Sequence, residues 1–492
     1  MEKIKGLKKY KLELVVFVCG AMTMVLELVA ARVLSPYVGS SNLIWTSIIG
    51  IMLVFMSLGY WAGGKIADKK HDINDLSQFI LISAITTSII PILETIIVNN
   101  LAQVIEQLII VAIISAIFIF GIPSFMLATA SPIAVKLKNE EEKKVGSVSG
   151  KISSLSTIGS IFGTFFAGFV LIPNVGVSNI IIGSSILLLM LSILIHQKKD
   201  KKYVISMIIV TLVIILLCLT GKNLFKIAHL DVIKDEDSEY SRIWVKDIKV
   251  ADNVSYKTLQ VDTELESYMN EQTGEMGAKY LGYYDLFEYY NKNAKDALLI
   301  GGAAYTYPKH YLKRYDDKKI DVVEIDPKMT QIAEEEFDLD VNNPNLGIYH
   351  QDGRSYLNYS KNKYDVIMID AFTGRNVPFE LTTYEAMCNA KRMLNEGGIV
   401  MTNVISSLEG KDSKFIKHEY ATYKKVFDDV KLFMVNTQDK NQVQNLILIG
   451  IKGESNIDKS KEEKYQVLLE TEVKDFESDS QISTDDFAPI GS

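Results

Sequence analysis

Four short runs in the second half of this 492-residue chain set acids and glycines where a parallel α/β sheet would meet a ligand. Residues 297–300 are apolar and break into Gly301 and Gly302; residues 320–325 form a second apolar run with Glu324 near its C-terminal end. A third, residues 346–350, leads to Asp352 and Gly353, and a fourth, residues 365–369, ends at Asp370. In a parallel sheet such ends line the crevice: glycines let the backbone approach a ligand, and an acid accepts hydrogen bonds from ribose hydroxyls. The chemistry indicated is nucleoside binding. Because the full G-x-G-x-x-G spacing is absent, a plain βαβ unit with a surface acid is the alternative reading of the first two runs.

The elements that must hold these residues follow from periodicity. Gly397 and Gly398 precede a fifth strand at 399–404, and residues 431–435 and 445–451 make a closing antiparallel pair, the layout of a methyltransferase-like doubly wound sheet. Ahead of it, residues 242–250 and 258–262 alternate apolar and polar like a hairpin, giving a small N-terminal β-region. Tyr280, Tyr283, Tyr284 and Tyr290 recur at helical spacing, which reads as core packing, with one tyrosine at the crevice as the alternative. The expected organisation is a multi-pass membrane domain over 1–221, a linker, hairpin and tyrosine-rich helix over 222–290, a Rossmann-like domain over 291–452 and an acidic tail over 453–492.

The first half is a different material. Residues 1–221 hold 18 Lys and Arg against 12 Asp and Glu, a net of +6; the rest holds 34 against 48, a net of −14. An acidic second half with no basic stripe excludes a nucleic-acid binder. Only Cys388 of three cysteines lies in that half, so no disulfide and no structural metal site is expected there. Apolar runs at 12–34, 43–63, 79–98, 105–128, 152–173, 179–195 and 203–220 each approach the roughly 20 residues that span a bilayer, so the fold class is an α-helical membrane bundle of about seven spans followed by the α/β domain. Lysines cluster at the N-terminus and in alternate loops, which predicts a cytoplasmic N-terminus and, with an odd count, an extracytoplasmic C-terminal domain. Within the first span, Glu27 predicts a cavity or a partner, and Arg32 is placed to pair with it or to reach the interface. Gly159, Gly163 and Ala167 form a small-residue face for close helix packing.

In order and spacing, residues 298–308, 322–327, 351–357 and 364–378 resemble the spermidine synthase (polyamine aminopropyltransferase) family. The front half, with S-P-Y-V-G-S-S at 35–41 and L-G-Y-W-A-G-G at 58–64, is similar to its membrane-fused branch, in which a transporter-like region precedes the synthase-like domain. The resemblance implies that Gly301 and Gly302 are the glycine-rich turn, Glu324 the ribose-binding acid, Asp352 with Gly353 the adenine-side loop, Tyr280 the crevice tyrosine and Asp370 the proton acceptor beside the attacking amine. It implies S-adenosylmethionine or its decarboxylated form as substrate, and no metal. Three positions depart from the pattern: Ala304 stands for an aspartate of the turn, Thr373 for a second aspartate, and Leu281 for a glutamine. The nucleoside half is kept and the polyamine acceptor half is degenerate, unless Glu380 or Glu385 substitutes. Group transfer, aminopropyl by resemblance, is the expected function; methyl transfer, self-cleavage to methylthioadenosine, and a transporter with a nucleoside-sensing domain are the alternatives. Expected partners are a small-molecule nucleoside, an amine, the lipid bilayer and a second copy of the chain.

Overall fold

The computed structural model describes residues 10–39, 42–69, 72–105, 107–197, 201–228, 230–251, 254–372, 378–478 and 480–486. The chain divides into two compact units, residues 1–244 with 261–263, and residues 245–260 with 264–492.

Among the described residues, six helices of the first unit are long and apolar enough to cross a membrane: α1 (Lys11–Val38), α2 (Leu43–Ala67), α3 (Ile73–Ala102), α4 (Leu108–Glu142), α5 (Val145–Asn174) and α6 (Val177–Ile195). A seventh helix, α7 (Lys201–Ala228), contains the apolar stretch Val204–Leu217. Helix α1 is the centre of the bundle: 67% of its apolar stretch is buried, against 22% for α2 and for α5. Its pairing with α5 depends on glycine. A Cβ at Gly159 would sit 2.1 Å from the Phe17 carbonyl oxygen and one at Gly163 2.3 Å from that of Ala21, so these backbones touch only because the side chains are absent. Ala167 is fully buried on the same face.

Strands β1 (Val232–Asp237), β2 (Arg242–Ala251), β3 (Val254–Val261) and β4 (Glu264–Asn270) form a four-stranded sheet in sequence order. The tyrosine-rich segment that follows is two short helical turns rather than one helix, with Tyr283, Tyr284, Phe287 and Tyr290 in the core.

The second sheet has seven strands: β5 (Asp296–Ile300), β6 (Lys319–Glu324), β7 (Leu346–His350), β8 (Tyr364–Ile369), β9 (Leu394–Ser406), β10 (Asp429–Met434) and β11 (Gln444–Ile451), in the order β10-β11-β9-β8-β5-β6-β7. β5 to β9 run parallel and β11 is antiparallel to both neighbours, the methyltransferase-like arrangement read from the sequence. Helices α8 (Thr306–Arg314), α9 (Pro327–Glu336), α10 (Gly353–Tyr359), α11 (Tyr384–Met393) and α12 (Lys414–Val426) connect the strands. The chain leaves β5 towards β6 and β7, then returns to β8 on β5's other side. That reversal opens a crevice at the C-terminal ends of β5 and β8.

Residues 453–478 and 480–486 are not a loose tail. Helix α13 (Glu462–Leu469) buries Tyr465, and Ser483 is fully buried. Tyr384 N–H donates to the Ser483 carbonyl (2.8 Å), Ser483 N–H to Thr422 Oγ1 (3.0 Å) and Thr383 Oγ1 to Asp485 Oδ1 (2.7 Å).

Candidate active site

Gly301 ends β5 with φ +95°, and a Cβ there would lie 2.2 Å from the Asp370 carbonyl oxygen. Only glycine fits a left-handed turn so close to the neighbouring strand. The turn continues with Ala303 (φ 44°) and Tyr305 (φ 54°) also left-handed, and the buried Tyr305 ring packs beneath Gly302. Tyr305 is anchored by Thr330 Oγ1 at 2.7 Å, itself 2.9 Å from His350 Nε2.

Glu324, at the end of β6, is buried and turned onto this loop. Its Oε2 accepts from Gly302 N–H (2.7 Å) and Ala303 N–H (3.1 Å), and Oε1 from Asp326 N–H (2.9 Å). Burial pushes the carboxyl up, and these three backbone donors pull the other way. Glu324 thus fixes the shape of the glycine turn as well as standing at its mouth. Asp352 is exposed and caps α10, accepting from Ser355 N–H at 2.7 Å. Gly353 is where a Cβ would meet Ile300 Cγ2 at 2.6 Å, so α10 starts against the end of β5.

Asp370 follows β8, and its Oδ1 accepts from Asn403 Nδ2 at 3.1 Å. Asn403 on β9 is oriented in turn by Asn445 Nδ2 on β11, which donates to its Oδ1 at 3.0 Å. The Tyr280 and Tyr284 hydroxyls also approach the carboxyl, and their rings meet edge to face at 6.1 Å. Burial pushes Asp370 up to about 6, against the opposing pull of Asn403, Tyr280 and Tyr284. A carboxyl so placed is mostly ionised at neutral pH and still basic enough to take a proton.

Beside it lies a cavity of about 440 Å³ whose lining includes Tyr280, Phe372, Asn403, Glu264, Glu266 and Tyr268. The last three alternate along β4 and therefore share one face of the strand. These two acids, with Asn403 and Asn445, were missed from the sequence; the E-x-E-x-Y alternation at 264–268 was the available signal. The two acids proposed as substitutes lie elsewhere. Glu380 is exposed on a turn at 379–381, and Glu385 Oε2 accepts from Asp485 N–H at 3.0 Å; neither lines the cavity. Leu281 is a buried core residue, Ala304 is fully buried, and Thr373 lies outside the described residues. No group of three or more metal-ligating side chains occurs among the described residues.

In the first unit, Glu27 and Arg32 do not pair. Arg32 Nη2 donates to the Glu239 carbonyl, while Glu27 Oε2 is shielded from solvent with no partner among the described residues.

Comparison with known proteins bears on the second unit. Residues 286–457 match the model of the spermine/spermidine synthase domain. A polyamine aminopropyltransferase of Vibrio vulnificus (strain CMCP6) is 27% identical over 293 residues, 56% of this chain and 95% of that protein. A probable polyamine aminopropyl transferase of Bifidobacterium longum (strain NCC 2705) is 36% identical over 121 residues, 25% of this chain and 26% of that protein. The crystal structure of spermidine synthase from Thermotoga maritima aligns with a TM-score of 0.39 at 19% identity, covering 52% of this chain and 82% of that one. Asp370 and the Gly301 turn therefore lie within the residues that match a spermine/spermidine synthase domain in the C-terminal half, with polyamine aminopropyltransferases among its relatives, and Tyr280 lies just before them.

Proposed function

We propose that the C-terminal domain transfers an aminopropyl group from decarboxylated S-adenosylmethionine to an amine held in the cavity beside Asp370. The observation that carries this reading is a carboxyl at about 6 between a nucleoside-type crevice and a cavity with two further acids. An alkylammonium ordinarily titrates near 10.4, so an amine acceptor arrives protonated and must lose a proton to become a nucleophile. Asp370 is suited to receive it. The neutral nitrogen attacks the aminopropyl carbon next to the sulfonium; the C–N bond forms, the C–S bond breaks, and its electron pair stays on sulfur as the neutral thioether of methylthioadenosine. The leaving group is already activated, so the protein contributes orientation, desolvation and a base.

A diamine acceptor carries a second ammonium, which needs carboxylates to offset desolvation. Glu264 and Glu266 supply that charge from β4, in place of the aspartates that Ala304 and Thr373 stand for. The test is product analysis of the full-length protein with decarboxylated S-adenosylmethionine, with and without putrescine. Methylthioadenosine and spermidine should appear together. Methylthioadenosine at the same rate without putrescine would favour self-cleavage, and spermidine formed equally by Asp370→Asn would remove Asp370 from the mechanism.

The bundle is read as embedded in the bilayer, with the N-terminus cytoplasmic and the C-terminal domain on the other side. What supports an odd number of crossings is where the chain leaves the bundle. Lys11 Nζ bonds the Leu194 carbonyl, so α1 begins where α6 ends, and α7 starts at that same end. The segment after α7 is fastened to the opposite end. Val177 N–H, at the start of α6, donates to Asp237 Oδ2 (2.8 Å), Arg242 Nη1 pairs with Glu94 (3.1 Å), and Ser35, near the end of α1, bonds Asp262 (2.8 Å).

A further inference from the structure

The hairpin that carries Glu264 and Glu266 turns at Asp262 and Thr263, the two residues between β3 and β4. A turn this short fixes the register of the strands it joins, and a slip of one residue sends every side chain of a strand to its other face. Which way Glu264, Glu266 and Tyr268 point is therefore decided at the turn. Asp262 holds a left-handed φ of 49°, a conformation that aspartate tolerates better than most residues but that its surroundings must maintain.

The groups that maintain it belong to the bundle. Residues 261–263 group with the first unit, and Glu264 begins the second unit's share of the strand. Asp262 is buried: its Oδ1 accepts from Ser35 Oγ of α1 at 2.8 Å and from Arg242 N–H at 3.2 Å, and its own N–H donates to the Arg242 carbonyl at 2.9 Å. Arg242 is fixed in turn by Asp235 at 2.9 Å and by Glu94 of α3 at 3.1 Å. Just past the end of α1, a Cβ at Gly39 would lie 3.5 Å from Thr263 Oγ1, so the end of α1 meets both residues of the turn. Two residues after this anchor, about 7 Å along the strand, Glu264 lines the cavity, and Glu266 and Tyr268 follow on the same face. The Tyr280 hydroxyl, pushed up first by burial and then by Asp370, is pushed further by Glu266, so β4 also bears on the tyrosine beside the reacting carboxyl.

We infer that Asp262 is a positioning residue for the acceptor subsite: anchored by Ser35 and Arg242, it sets the register of β4 and keeps Glu264 and Glu266 turned towards the amine. The inference rests on the acceptor role proposed above for those two acids, and the experiment separates the two. Full-length protein in lipid nanodiscs is assayed with decarboxylated S-adenosylmethionine and putrescine. Ser35→Ala removes one bond to the anchor; Asp262→Gly keeps the left-handed backbone and removes the side chain. Each should raise KM for putrescine several-fold, with kcat and KM for the sulfonium donor within about twofold. Asp262→Asn retains the acceptor oxygen and should restore the KM of the wild type. A second measurement needs no turnover: amide hydrogen exchange at 264–268 should be several-fold faster in Ser35→Ala and Asp262→Gly, with β5 and β8 unchanged. The Glu264→Gln/Glu266→Gln double variant should raise KM for putrescine without altering exchange in β4. If the double variant raises that KM and the anchor variants do not, or if their exchange at 264–268 is unchanged, the positioning role is overturned while the acceptor reading stands. Faster exchange in the anchor variants with KM unmoved by the double variant would overturn the acceptor reading and this inference with it. An equal loss in kcat and in donor KM would make Asp262 a merely structural residue and overturn the inference alone.

Discussion

Asp370 carries its function at a cost in stability, and the cost has a sign that can be tested. Its folded pKa of about 6 lies above the roughly 3.9 of an unfolded aspartate, so the folded domain holds the proton more tightly. The stabilisation this gives is fully present below about pH 4 and is lost as pH rises through 6. Asp370→Asn keeps an acceptor for Asn403 and removes the buried charge. It should raise the stability of the domain by about 1–2 kcal/mol at pH 7.5 and by little at pH 4, as read by denaturant unfolding at the two pH values. The same substitution should lower turnover by about 10²–10⁴-fold, the usual contribution of a positioned base. In the wild type, kcat/KM should fall below about pH 6 as Asp370 takes up its proton. A second residue-scale test concerns the glycine turn. Ala303 holds a left-handed φ of 44°, a conformation costing an alanine about 1–2 kcal/mol, whereas glycine adds about 0.4–1 kcal/mol of unfolded-state entropy. Ala303→Gly should therefore stabilise the domain by about 0.5–1 kcal/mol; a loss of stability would mean that the turn is held by contacts of the Ala303 methyl.

At the scale of elements, the sequence was most readable where one strand carries both the pattern and the residue. The runs ending in Gly301, Glu324 and Asp370 are short, apolar and bounded by turn residues, so period and punctuation located the crevice. What lay across the sheet was not readable. Asn403 reaches Asp370 because β9 pairs with β8, and Asn445 reaches Asn403 because β11 folds back antiparallel, pairings that local periodicity does not encode. Glu380 and Glu385 were near Asp370 in sequence, but α11 turns its first residues towards the C-terminal segment. That segment is a strap: Asp485 accepts from Thr383 Oγ1 and from Arg354 Nη2, both at 2.7 Å, and Arg354 also donates to the Glu380 carbonyl at 2.9 Å. Arg354 is two residues past Asp352, so Asp485 ties the start of α10 to the start of α11. Asp485→Asn should weaken binding of methylthioadenosine several-fold in calorimetry and raise KM for the sulfonium donor while leaving kcat within about twofold. An equal drop in kcat with KM unchanged would mean that the strap acts on the reacting end instead.

At the scale of the whole molecule, the decisive element is α7. Six helices qualify as spans by length and composition, and six crossings would return the chain to its starting side. Among the side chains described in α7, Met207 and Ile214 are buried, one narrow stripe, while Val204, Ile205, Ile208, Ile209, Leu212, Val213, Ile215 and Leu216 are exposed. An apolar helix exposed on most of its circumference suits lipid, not water. Its 28 residues extend about 42 Å at 1.5 Å each, enough to cross a hydrocarbon core of about 30 Å. The buried Arg242–Glu94 pair, which fastens β2 to the far end, reinforces this, since removing one partner of such a pair costs about 3–5 kcal/mol. Under the proposed topology, with the lysine-rich N-terminus in the cytoplasm, seven crossings would put the C-terminal domain outside it. Lys361→Cys, on an exposed turn, in a chain lacking Cys19, Cys218 and Cys388, should react with a membrane-impermeant maleimide on intact cells. Protection until lysis, with a Lys69→Cys control after α2 labelled in intact cells, would invert the whole orientation. Protection of both until lysis would instead mean that α7 lies along the membrane, six helices cross it, and the domain faces the cytosolic pool of nucleosides and amines.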